Sequence, residues 1–214
     1  MSSSPAFTPP ASAPGPRAGS SPLRIALFLS LVAAVLVADL AIKYWSFAKV
    51  AGAPVEIDVA DPRNTYIPPH DPIHVVPGVL SLHLTTNTGA VFGLGKGARW
   101  FFVAVTAVAT AVILRVFWRS PLPAWPLQVA LALVLGGALG NLYDRVRYAA
   151  VRDMFWLLEG WELPFNLRWP GGSRDVYPWL FNLADAALVG GVILLLLIMW
   201  RDERRAPATP PTPG

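Results

Sequence analysis

From Trp179 to Trp200 the chain reads WLFNLADAALVGGVILLLLIMW, an apolar run whose one ionisable residue, Asp185, lies near its start. A run of this length crosses a bilayer as a helix, because every backbone N–H and C=O is then bonded within the segment. The Trp at each end suits the aromatic belts of the membrane–water interface. Three more runs share the pattern: about Leu23 to Trp45, about Ala98 to Trp118, and roughly Trp125 to Tyr143. Together they predict a membrane all-α fold of four transmembrane helices, running up and down.

Composition agrees. Of 214 residues, 54% are hydrophobic and 14% charged, which leaves too little polar surface to cover one globular core. The net charge of +4 comes from Lys and Arg scattered mostly at the ends of apolar runs. That placement reads as membrane topology and excludes a nucleic-acid-binding stripe. Without cysteine there are no disulfides, no thiolate chemistry and no cysteine-ligated metal. The first run is too long for the apolar core of a cleaved signal peptide and is read as a span. Four spans place both termini on one side. Arg24, Arg119, Arg201, Arg204 and Arg205 flank the membrane there, which marks that side as cytoplasmic. The Pro-rich segments 1–22 and 202–214 are expected to be disordered cytoplasmic tails.

The other side carries two long segments. In 47–97, Val55, Ile57 and Val59 alternate with Glu56 and Asp58, and Leu80, Leu82 and Leu84 alternate with Ser81, His83 and Thr85. Both stretches predict short half-buried strands in a small extracytoplasmic β-rich segment. The segment 154–178 holds Trp156, Trp161 and Trp169 among Pro and Gly, and reads as an interfacial insert.

Ionisable groups inside spans are costly, so each requires a reason. Asp39 and Lys43 stand four apart on one face of the first helix. The third helix ends in Gly136-Gly137-Ala138-Leu139-Gly140-Asn141-Leu142-Tyr143-Asp144-Arg145, where Gly136 and Gly140 allow close helix approach. Asp153 follows in Val151-Arg152-Asp153-Met154, and the fourth helix opens Phe181-Asn182-Leu183-Ala184-Asp185. Taken singly, these read as a structural ion pair, a helix-end ion pair of Asp144 with Arg145, and an N-terminal helix carboxylate. Helix parity changes that reading. The ends of helices one and three meet the start of helix four, so all four carboxylates fall in one layer. Two carboxylates held close in a low-dielectric site share a proton and supply an acid and a base at one pH. His70, His74 and His83 form no evident metal set. Peptide hydrolysis by a carboxylate dyad is the natural enzymatic reading. Proton or cation conduction and a non-catalytic lipid-binding subunit stay open beside it.

Five blocks in order carry a family resemblance: Asp39-Leu40-Ala41-Ile42-Lys43, Asn87-Thr88-Gly89-Ala90-Val91-Phe92-Gly93, Gly136 through Arg145, Val151 to Asp153, and Phe181 to Asp185. Over roughly 30–195 the chain resembles signal peptidase II, the aspartyl peptidases that process lipoproteins in the bacterial inner membrane. The resemblance implies removal of signal peptides from diacylglyceryl-modified prolipoproteins, with Asp153 and Asp185 as the catalytic pair. It implies support or substrate positioning by Asp39, Lys43, Asn87, Asn141, Asp144, Arg145 and Asn182, and a small β-cradle between helices one and two. It further implies no metal or cofactor and inhibition by globomycin-type cyclic peptides; a monomer among membrane lipids is the expected state. The chain departs from the family pattern at Arg152 and Met154, and in the long Trp-rich insert from Leu157 to Pro178. An arginine next to Asp153 would favour the ionised carboxylate.

Overall fold

The computed structural model describes residues 15–89 and 99–205. The elements in chain order are α1 (Pro22–Lys49), β1 (Ile73–Val76), β2 (Leu80–Asn87), α2 (Arg99–Arg119), α3 (Trp125–Tyr148), β3 (Val151–Leu157), β4 (Leu180–Phe181) and α4 (Leu183–Arg205). All four helices are long and apolar enough to cross a membrane, as the apolar runs predict. α1 starts where Ser21 caps it, its Oγ accepting from Arg24 N at 3.4 Å, with Pro22 in the first turn. α4 starts later than the apolar run, because Leu180 and Phe181 are drawn into the sheet as β4.

α3 is the central helix, packed against the other three. Gly137 lets it seat directly on α4, since a Cβ there would collide with the carbonyl oxygen of Ala184. Away from the sheet the bundle is sealed by Phe28, Val32, Ile113, Phe117, Leu131 and Leu135, with the rings of Phe28 and Phe117 stacked at 4.0 Å.

The N-terminal segment corrects one expectation. Ala18 is fully buried, and its N–H donates to Ser120 O at 2.8 Å. Small residues that read as disorder in isolation here permit close approach to the α2–α3 turn; residues 1–14 lie outside the described residues. At the other end α4 continues to Arg205, past the expected start of the tail at Asp202; residues 206–214 lie outside the described residues.

At the far end of the bundle the four strands form an antiparallel sheet in the order β1-β2-β3-β4. β2 forms where the alternation around Leu82 predicts a strand, although Ser81 is buried along with Leu82 and Leu84. Residues 55–59 form no strand; Glu56 makes only an isolated bridge to Tyr66. Val55 and Ile57 instead pack on the cluster of Phe47, Val50, Leu82, Leu84 and Met154 under the sheet. β3 was not legible, because Val151 to Met154 are buried on both faces and show no alternation. It takes up the first residues of the expected insert. The remainder is braced by its own hydrogen bonds, Leu163 N to Arg174 O and Val176 N to Trp161 O, both 2.7 Å.

Candidate active site

The polar residues of α1, α3 and α4 converge where the bundle meets the sheet. Asp39, Lys43 and Asp144 are all at 0% exposure. Lys43 Nζ lies 2.8 Å from Asp39 Oδ2, 3.2 Å from Asp144 Oδ2 and 3.0 Å from Asn141 Oδ1. Asp39 Oδ1 accepts from Ala184 N at 2.9 Å, tying α1 to the first turn of α4. Gly140 makes room for this carboxylate, since a Cβ there would stand 2.5 Å from Asp39 Oδ2.

Asp144 is paired differently from the expectation. Its partner besides Lys43 is Arg152, whose Nη2 and Nε reach Oδ1 at 2.8 and 3.1 Å and whose backbone N donates to Oδ2 at 3.0 Å. Arg145 does not pair with it, because consecutive residues on a helix point in different directions. Instead Arg145 donates to Gly89 O at 3.1 Å and to Asn141 O at 3.4 Å, and its guanidinium covers the Phe102 ring at 4.9 Å. Two buried carboxylates, Asp39 and Asp144, are thus balanced by two buried cations, Lys43 and Arg152, as burial of charge demands.

Two asparagines connect this ion set to the remaining carboxylates. Asn141 accepts from Lys43 and donates through Nδ2 to Asp185 Oδ1 at 2.7 Å. Asn182 donates through Nδ2 to Asp153 Oδ1 at 2.7 Å and to Asn141 Oδ1 at 3.1 Å. Asn182 also caps α4 in a reciprocal box: its Oδ1 accepts from Asp185 N at 2.9 Å, and its own N donates to Asp185 Oδ2 at 3.2 Å. Asp153 is placed by β3, opposite Thr85 of β2, and is 3% exposed. Burial, then the charge of Asp185, push its carboxyl up to about 8, against the hydrogen bond from Asn182. Arg152 does not favour the ionised form as adjacency suggested. Successive residues of a strand face opposite ways, and its guanidinium serves Asp144.

Asn87 closes β2, its Oδ1 accepting from Gly89 N at 2.9 Å; Ala90 to Gly93 of that block lie outside the described residues. A cavity of about 410 Å³ opens over the cluster, lined by the polar Asn141, Arg145, Asp153 and Asp185 and by the apolar Ala138, Leu188 and Val189. A more polar groove of about 540 Å³, lined by Thr85, Thr86, Thr88 and Arg63, adjoins it. Asn87, Asp153, Trp179 and Leu180 line both, so Asp153 stands at the neck between an apolar and a polar compartment. All nine residues singled out in the sequence therefore gather here. Sequence reasoning missed that Arg152 pairs with Asp144 and that Tyr177 lines the cavity. An arginine inside an otherwise apolar block was a usable signal for the first. For Tyr177 there was none, because its place on the cavity wall depends on how the insert folds.

A family model described as Signal peptidase (SPase) II matches residues 31–201. A lipoprotein signal peptidase of Symbiobacterium thermophilum is 43% identical over 140 residues, covering 65% of this chain and 82% of the relative. One of Ectopseudomonas mendocina is 41% identical over 140 residues, covering 63% of this chain and 74% of the relative. Two solved structures described as bacterial membrane enzymes share the fold at 24% identity. Their TM-scores are 0.64 and 0.61, over 88% and 83% of this chain and 96% and 95% of theirs.

Proposed function

The chain belongs to the signal peptidase II family of aspartic peptidases, and on that premise we propose that it removes signal peptides from diacylglyceryl-modified prolipoproteins by a two-aspartate mechanism. One observation carries the reading: Asp153 and Asp185 wall the same cavity, and Asn182 bonds to both, with one carboxyl pushed up to about 8. Asp153 holds a proton at neutral pH and acts as the acid. Asp185, fed by donors from Asn141 and Asn182, acts as the base.

The base takes a proton from a water held between the two, the water oxygen bonds to the scissile carbonyl carbon, and Asp153 protonates the carbonyl oxygen. In collapse, the C–N bond breaks, Asp185 passes its proton to the leaving amine, and Asp153 recovers its own from the diol. Lys43, Asp39, Asp144 and Arg152 hold Asn141 and the start of α4 in place. Arg145, fixed to the carbonyls of Gly89 and Asn141, braces the turn after Asn87 against α3 and sets a positive charge beside the dyad.

The neck at Asp153 suits this substrate, whose apolar signal helix lies in the membrane and whose mature chain lies in water. The site then belongs at the outer leaflet of the inner membrane, with both termini in the cytoplasm. Conduction is not favoured, because the other half of the bundle is sealed by apolar packing among the described residues. The test is cleavage of a lipidated prolipoprotein by membrane-inserted D153N and D185N. Loss of processing in both is expected; normal processing by both variants overturns the assignment.

A further inference from the structure

Tyr177 closes the insert that this chain carries between β3 and β4, and it stands on the wall of the cavity that holds Asp153, Asp185, Asn141 and Arg145. Its ring is fixed edge-on against Trp179 at 5.5 Å and Phe181 at 6.1 Å, and Trp179 is in turn braced by Trp169 at 4.8 Å. Its backbone carbonyl accepts from Trp156 Nε1 at 3.2 Å. None of these contacts uses the hydroxyl. On the same wall Thr106 Oγ1 donates to Phe102 O at 2.8 Å, Arg145 donates to two carbonyls, and Asn141 Nδ2 is bonded to Asp185.

We infer that Tyr177 is a third catalytic residue, its hydroxyl donating a hydrogen bond to the scissile carbonyl oxygen as the tetrahedral diol forms. The inference rests on the peptidase reading above. The geometry gives it content: Tyr177 lines the same cavity as Asp153 and Asp185, with its ring held against two aromatic neighbours. A donor aimed where charge develops lowers the barrier without moving any proton of its own. Burial, followed by the charges of Asp185 and Asp153, pushes the phenol's ionisation up, so it remains a donor throughout the working range. Asp153 and Asp185 still carry every proton, and Tyr177 is chemically unchanged over the cycle. The Trp-rich insert thereby acquires a task, since its fold delivers this hydroxyl to the site.

The experiment compares full-length wild type, Y177F, Y177A and D185N in lipid nanodiscs on a synthetic diacylglyceryl-modified prolipoprotein. Y177F keeps both ring contacts and removes only the donor. It is expected to lower kcat by about 10²-fold, as loss of one preorganised donor does, with KM within about twofold. Y177A also removes ring packing and is expected to raise KM as well. Wild-type kcat in Y177F, or a change confined to KM, overturns the inference, because a purely structural ring would be preserved by Phe. A wild-type chain that leaves the substrate uncut, like D185N, overturns the peptidase reading instead.

Discussion

Asp153 is expected to set an alkaline limit on activity. Its carboxyl, raised from an ordinary value of 3.8 to about 8 by burial and by Asp185, must be protonated to act as the acid. Near pH 7 roughly nine-tenths of molecules hold that proton, and near pH 9 roughly one-tenth, so kcat/KM should fall about tenfold per pH unit above the midpoint. The same shift has a cost in stability. At 1.36 kcal/mol per pH unit, keeping the ionised group buried disfavours the native state by on the order of 5 kcal/mol. The sign follows from a raised folded value. The stabilisation is complete below pH 3.8 and is lost progressively as pH rises to about 8. D153N removes this penalty, and its thermal stability in detergent should exceed wild type by several kcal/mol near pH 9. D185N removes the second cause, so Asp153 should titrate lower in that variant. Because other groups can bend a rate profile, the decisive assay is infrared spectroscopy of the protonated carboxyl band that D153N abolishes. A band lost by about pH 6 in wild type would refute the reasoning.

Three further outcomes are expected from the buried ion set. K43M leaves Asp39 with one hydrogen bond while Arg152 still compensates Asp144, so it should cost about 3–5 kcal/mol; D39N in the same chain should recover most of it, and strict additivity in a double-mutant cycle of detergent melts would count against the pairing. R152V strips Asp144 Oδ1 of both guanidinium donors but leaves Lys43 and the backbone N–H of residue 152 on Oδ2, so a loss of about 3 kcal/mol is expected, measured by the same melts at neutral pH. G137A forces a Cβ into the carbonyl of Ala184, which is backbone and cannot swing aside; α3 and α4 should separate, with lower stability and reduced cleavage of lipidated substrate, whereas wild-type melting and activity would show that the close approach is dispensable.

The spans were legible because the bilayer imposes a length and a polarity on any segment that crosses it, and Trp179 to Trp200 meets both. The shared depth of Asp39, Asp144 and Asp185 was legible too, since helix parity fixes which ends meet. The strand carrying Asp153 was not, because a segment buried on both faces shows no period. Nor were the partners within the layer. Adjacency suggested Arg145 for Asp144 and Arg152 for Asp153, but side-chain direction depends on backbone geometry, and a helix followed by a strand sends the two arginines elsewhere. The sequence by itself determined a four-span membrane peptidase with its polar residues at one end. Only the tertiary structure decided how deeply Asp153 is buried beside Asp185, what balances Asp144, and that a tyrosine from the insert reaches the cavity. Those depend on distances across elements far apart in the chain, where burial and orientation, rather than residue type, set the chemistry.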